Sequence, residues 1–155
     1  MKKPTKMPKQ DLAGSLADFL CFAVYSTNLA FNRAYKQLFE ELGITYPQYA
    51  TLIALNEAGH QTVGELGDKL FLESSTLTPL LKRLEAAGYV TRRRDAEDER
   101  QVRVSLTPEG KAIFEQAFCG RESVIEATGL DPGTFVRLQR DLITLRDNLL
   151  ASSKK

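Results

Sequence analysis

One segment limits the possible folds more than any other: Tyr89 to Leu106, where the apolar spacing leaves the helical period and adopts that of a hairpin. Tyr89 to Arg94 reads as a strand. A charged turn follows, Asp95-Ala96-Glu97-Asp98-Glu99-Arg100, and Val102-Arg103-Val104-Ser105-Leu106 alternates as the return strand. Everything around this hairpin repeats at helical spacing.

The helices can be placed in order. Leu16, Phe19, Leu20, Ala23, Val24, Phe31, Ala34, Tyr35, Leu38 and Leu42 predict a helix over 12–42, ended by Gly43. Thr45-Tyr46-Pro47 opens a second, with Pro47 in its first turn, stopping near Ala58-Gly59. Thr62 with Glu65 forms a capping box for a short helix running to Leu70. Ser74 or Ser75 is expected to cap the next, through Leu77, Leu80, Leu81 and Leu84 to Gly88, with Pro79 early enough to cost little of the ladder. Beyond the hairpin, Thr107-Pro108 starts a long helix, and a break over 129–133 precedes a last helix from Thr134 to Leu150. Two short helices, a tight turn, a longer helix and a charged hairpin make a winged helix-turn-helix. The expected fold is mainly α with a small β-hairpin wing, a single domain over 1–155. Residues 45–106 form the DNA-binding lobe, and 12–42 with 108–150 form dimerisation helices.

Composition narrows the function classes. With 43% hydrophobic and 26% charged residues in 155, the chain has the balance of a globular protein; only Met1–Gln10 and Ala151–Lys155, polar and lysine-rich, are expected to fray. The net charge of +1 does not announce a nucleic-acid binder, but its distribution does more: Arg92-Arg93-Arg94, then Arg100 and Arg103, form the densest basic cluster. No run approaches the roughly 18 apolar residues of a membrane span, and no signal peptide is visible, so a cytoplasmic protein without a membrane partner is expected. Two cysteines are too few for a disulfide framework. A single histidine and the lack of CxxC or HExxH argue against a metal site, and no cofactor is called for.

In a helix-turn-helix the second helix enters the major groove by its N-terminal end. The side chains there are Glu73, Ser74, Ser75, Thr76 and Thr78, whose hydroxyls can bond bases or phosphates; Lys82 and Arg83 lie where phosphates pass. The plain alternative is that the hydroxyls only cap the helix. On the wing, Arg92 and Arg94 flank the first strand and Arg100 follows the acidic tip. Asp98 or Asp95 is expected to brace Arg100 for insertion into a narrow groove. An internally paired, solvated tip is the alternative.

Phe71 to Glu85, then Gly88 and Arg92 to Leu106 with Asp98-Glu99-Arg100, resemble the MarR family of dimeric winged-helix regulators. More narrowly, Leu20-Cys21-Phe22, Ile44-Thr45-Tyr46-Pro47-Gln48-Tyr49 and Thr76-Leu77-Thr78-Pro79 resemble its organic-hydroperoxide-responsive repressor branch, the OhrR type. The likeness covers about residues 16 to 110. The family often carries Arg where Glu97 stands. The resemblance implies a homodimer on pseudo-palindromic double-stranded operator DNA, not an enzyme.

A cysteine on an apolar helix is often no more than a small buried hydrophobe. Tyr25 lies at i+4 from Cys21, on the same face. Tyr35, fourteen residues on, shares roughly that face but stands about 21 Å along the axis, out of reach within one subunit. Antiparallel pairing of two such helices would bring Tyr35 of one chain toward Cys21 of the other, with Tyr46 close by. The resemblance implies this arrangement, with Cys21 as the reactive thiol. Phenolic hydrogen bonds would favour the thiolate, and Phe19, Phe22 and Phe31 would suit an organic hydroperoxide as oxidant. In two-cysteine relatives a second cysteine bonds the reactive one of the partner. Here Cys119 lies about two turns before the usual register, near Glu126, leaving three roles open: shifted resolving cysteine, bystander to an external thiol, or packing.

Three rival readings remain. A MarR-type repressor could be released by a small aromatic ligand with Cys21 incidental. A thiol peroxidase is opposed by the absence of a proton-donating His or Arg beside Cys21 in sequence. An interaction module that never touches DNA would lack a steep salt dependence of duplex affinity.

Overall fold

The computed structural model describes residues 14–96 and 98–152; the expected helix start at Leu12, and Glu97 in the wing turn, lie outside them. In chain order the elements are α1 (Leu20–Leu42), α2 (Tyr46–Ala58), β1 (His60–Thr62), α3 (Val63–Leu70), α4 (Ser74–Ala86), β2 (Val90–Arg94), β3 (Val102–Leu106), α5 (Pro108–Glu126) and α6 (Pro132–Ser152). The fold is mainly α with a small antiparallel sheet, strand order β1-β3-β2. The wing therefore has one strand more than the expected hairpin. Three residues are too few to show alternation; pairing makes β1 a strand, with His60 opposite Ser105 and Thr62 opposite Arg103. Gln61 between them is buried, and its Nε2 donates to the Ala54 carbonyl at 2.8 Å.

The first long helix begins at Leu20, well inside the expected 12–42 span. Ahead of it Leu16–Asp18 form a single 3-10 turn, and Phe19 is extended. The Asp18 carboxylate accepts the Ser15 backbone N–H at 2.8 Å, and that local bond closes a separate turn instead of extending the helix. At α3 the capping box forms as expected: the Glu65 N–H donates to Thr62 Oγ1 at 3.2 Å, and the Thr62 N–H to Glu65 Oε2 at 2.7 Å. Neither Ser74 nor Ser75 caps α4. Glu73 takes the cap position, its carbonyl accepting from the Thr76 and Leu77 N–H groups at 2.9 Å each, and both serines fall inside the first turn. Between α3 and α4, Phe71 holds a left-handed backbone (φ 56) with its ring exposed. Asp131 Oδ1 accepts the Thr134 N–H at 3.0 Å, so α6 starts two residues before the expected Thr134.

Leu52, Leu55, Leu66, Leu77, Leu81, Leu84, Val90 and Val104 form the main core, the place where α2, α3 and α4 meet the sheet. A second core of Phe39, Ile44, Tyr49 and Ala117 joins α1, α2 and α5. Thr107 ties the wing to α5. Its Oγ1 donates to the Gly88 carbonyl at 2.6 Å, its N–H to the Tyr89 carbonyl at 3.1 Å, and its Oγ1 accepts the Gly110 N–H at 2.9 Å. Gly110 is obligatory: a Cβ there would stand 1.9 Å from the Tyr89 oxygen. By contrast, α6 buries no side chain and packs broadly against no other element. It touches the rest of the described chain at isolated points, such as the Arg146 guanidinium carbon 4.5 Å from the Phe71 ring centroid.

Candidate functional site: a DNA-reading surface and a thiol–tyrosine pair

Helix α4 sorts its faces cleanly. Leu77, Leu80, Leu81 and Leu84 are buried, while Glu73, Ser74, Ser75, Thr76, Lys82 and Arg83 are exposed and Thr78 is half-buried. Pro79 lacks the N–H that would reach the Ser75 carbonyl, an exposed position where water can replace that bond. The N-terminal turn of α4 thus presents three hydroxyls and unpaired backbone N–H groups outward, a surface suited to phosphates and base edges.

On the wing the arginines divide. Arg94 and Arg100 are exposed. Arg92, opposite Val104 in the sheet, points back toward the helices, its Nη1 3.4 Å from Glu85 Oε2. It braces α4 against β2 more than it faces outward. The carboxylate expected to hold Arg100 holds a different arginine: Asp95, 6% exposed, pairs with Arg103 Nε. Asp98 instead fixes the turn, accepting the Arg100 backbone N–H and Gln101 Nε2 at 3.1 Å each. Two aspartates and two arginines close together look interchangeable in sequence; strand register decides the pairing, because Arg103 stands in β3 opposite Arg93 while Arg100 lies in the turn before β3 begins.

The candidate thiol and the tyrosines expected to serve it lie in two separate groups. Cys21, in the first turn of α1, is an exposed free thiol, with Tyr25 one turn on, 59% exposed. Tyr35 and Tyr46 stand together at the far end of that helix, ring centroids 6.0 Å apart. Tyr35 stacks on Phe39 at 5.0 Å, and Tyr49 adds a further ring 5.5 Å from Phe39. Burial raises the Tyr35 phenol above its ordinary value of 10.0, Tyr46 adds to that, and the Arg121 charge opposes it. Tyr49 is raised for the same first reason. Tyr49 and Arg121 were not singled out from sequence. Tyr49 sits at i+3 from Tyr46, a signal that reads equally as core; Arg121 carries none. Cys119 is a second exposed free thiol, on α5. Between α1, α5 and α6, Phe31, Ala34, Val124 and Leu138 line an apolar hollow of about 300 Å³. Among the described residues no cluster of metal-ligating side chains occurs, and no helix is long and apolar enough to cross a membrane.

Comparison with known proteins follows this geometry. Residues 33–117 match the model of the transcriptional regulator SarA/Rot family. Over 137 residues the chain is 46% identical to the HTH-type transcriptional regulator TtmR of Methylorubrum extorquens (strain PA1), spanning 88% of this chain and 70% of that one. Over 102 residues it is 46% identical to the organic hydroperoxide resistance transcriptional regulator of Bacillus subtilis (strain 168), spanning 66% and 69%. Among solved structures, reduced AbfR bound to DNA matches at 38% identity and TM-score 0.67, over 84% of this chain and 94% of its own. Overoxidised AbfR bound to DNA matches at 36% and 0.66, over 85% and 93%. A MarR mutant from E. coli complexed with operator DNA matches at 27% and 0.74, over 88% and 99%.

Proposed function

The chain belongs to the MarR/SarA group of winged-helix transcriptional regulators, and on that premise we propose that it is a cytoplasmic repressor released from operator DNA when organic hydroperoxides oxidise Cys21. The working unit is a homodimer. Helix α6 buries no side chain and packs only at isolated points within its own chain, and the exposed Leu20, Val24, Val136, Leu142 and Ile143 give α1 and α6 an apolar surface that a second copy would cover. In that dimer the exposed turn of α4 enters the major groove, Lys82 and Arg83 lie along phosphates, and Arg94 and Arg100 reach from the wing.

The observation that carries the sensor reading is the separation of its halves. Tyr35 and Tyr46 are assembled, yet Cys21 stands fourteen residues away along one continuous helix, about 21 Å. Antiparallel pairing of two α1 helices completes the site by setting Cys21 against the other chain's phenols. Their hydrogen bonds favour the thiolate, which attacks the terminal oxygen of the hydroperoxide. An S–O bond forms, the O–O bond breaks, sulfur is oxidised to the sulfenic acid, and the alkoxide leaves as the alcohol after taking up a proton. Losing the thiolate's hydrogen bonds, or tying it into a disulfide with Cys119, turns the two lobes out of groove spacing. The relative named for organic hydroperoxide resistance supports this reading.

A gel shift on the chain's own upstream region tests it. Reduced protein should bind, cumene hydroperoxide should release it, and Cys21→Ser should bind but stay bound under peroxide. Release of Cys21→Ser by peroxide overturns the reading; release of the wild type by salicylate alone returns the function to the aromatic-ligand class.

A further inference from the structure

Arg121 stands on α5, the helix that also carries Cys119, beside the tyrosine cluster. Helices α1 and α5 run antiparallel and close together: a Cβ on Gly120 would stand 2.6 Å from Leu38 Cδ1, and Val124 lies beside Phe31 and Ala34. Arg121 therefore lies between the Leu38 and Ala34 levels of α1, which is the level of Tyr35. It also falls one turn beyond Ala117, which is fully buried in the cluster holding Phe39, Tyr49 and Tyr35. Its guanidinium carbon sits 3.8 Å from the Phe118 ring centroid, so one face of the cation is taken by an aromatic surface. Its Nε is enclosed with no hydrogen-bond partner, and among the described residues no carboxylate pairs with it. A half-buried guanidinium without a carboxylate partner acts on the polarisable oxygens near it. The phenols its charge acts on are Tyr35 of α1 and Tyr49 of α2, with Tyr46 next to Tyr35; it lowers both Tyr35 and Tyr49 against the effect of burial.

We propose that Arg121 is the positioning cation of the thiol sensor, polarising the Tyr35 phenol so that its O–H donates more strongly to the sulfur of Cys21 of the partner subunit. The inference rests on the intersubunit thiol–tyrosine reading above. Negative charge builds on the phenol oxygen as the O–H leans toward the thiolate, and the neighbouring guanidinium stabilises that charge. The result is a larger ionised fraction of Cys21 at neutral pH and a faster reaction with electrophiles. Arg121 touches neither peroxide nor sulfur; it acts through Tyr35.

The experiment uses the full-length dimer with Cys119→Ser, so that only Cys21 reports. Two readouts are taken on Arg121→Gln, Arg121→Lys and Tyr35→Phe: the pH at which tyrosinate absorbance appears, and the neutral-pH rate of Cys21 alkylation by iodoacetamide, followed by mass spectrometry of its peptide. Arg121→Gln should move tyrosinate formation to higher pH and slow alkylation about three- to tenfold, the equivalent of about half to one pH unit. Arg121→Lys should restore most of the rate. Should the glutamine variant not fold, Arg121→Met keeps an apolar stem over Phe118 and removes only the charge. Wild-type alkylation in Arg121→Gln, with Tyr35→Phe slowed, overturns the role of Arg121 and leaves the thiol–tyrosine reading standing. Wild-type alkylation in Tyr35→Phe overturns both.

Discussion

Exposure does not distinguish Cys21 from Cys119, since both are free and both face outward. Surroundings do: Cys21 has Tyr25 on its face of α1 and aromatic neighbours at Phe19 and Phe22, whereas Cys119 stands on a helix whose nearest ring, Phe118, is occupied by Arg121. If Cys119 is the resolving thiol, non-reducing electrophoresis after peroxide should give a dimer-sized band that Cys119→Ser abolishes. Persistence of the band in Cys119→Ser excludes that role. On the DNA side, Lys82→Ala should weaken binding to operator and random duplex alike and reduce the log–log salt slope by about one. A selective loss on operator alone would instead make Lys82 a base reader. The sequence carried Cys21 and Tyr25 through simple i,i+4 spacing. It could not carry the Tyr35–Tyr46 contact, which depends on how α2 folds back on α1, nor the choice of Arg103 over Arg100 by Asp95, which depends on strand register.

Among the elements, α3 depends on a cap that is already explicit in Thr62 and Glu65. Thr62→Ala should cost about 1 kcal/mol in urea denaturation, by removing the oxygen that accepts the Glu65 N–H. The Thr62 hydrogen bonds hold the Glu65 carboxyl below its ordinary value of 4.5. A lowered folded-state value means stabilisation present above the unfolded value and lost as pH falls through the folded one. Glu65→Gln should therefore lower stability at neutral pH, where the carboxylate is ionised, leave the acid end little changed, and so flatten that limb of the stability curve. Gly110→Ala is the sharper test of the wing joint. With the added carbon 1.9 Å from a backbone oxygen, α5 must shift, and a loss of about 1–3 kcal/mol is expected. Element order and type were readable because helical spacing and the hairpin's alternation are strong local signals. Helix ends were less readable: single hydrogen bonds from Asp18, Glu73 and Asp131 settle them, and side-chain chemistry alone allows neighbouring residues to do the same work.

For the whole molecule, the proposed pairing through the sparsely packed α6 and the apolar surface of α1 would tie stability to concentration. The thermal midpoint should rise with protein concentration, as it does when only the folded dimer forms the interface. Leu142→Asp, placing a charge on that surface, should lower the dimer's mass in solution and abolish operator binding while the winged-helix core of α2 to β3 still folds. A monomer that binds operator as tightly as the wild type would show that pairing is not required. From the residues alone, a dimer is legible only as surplus apolar positions on the terminal helices; its antiparallel arrangement comes from the family resemblance, because a chain read alone does not say where a second copy sits.

The joint between wing and α5 carries a mechanical consequence. Thr107 bonds to both Gly88 and Tyr89, and Gly110 lets the helix backbone rest directly on the Tyr89 carbonyl, so there is no side chain between them to act as a cushion. Interiors packed this tightly transmit displacement instead of absorbing it. Sheet and α5 are then one lever, with its short arm at the tyrosine cluster and its long arm ending at Arg100. A slight tilt at the short end becomes a wide sweep of the wing tip, and in the proposed sensor that leverage is what would carry a change at Cys21 to a distant groove.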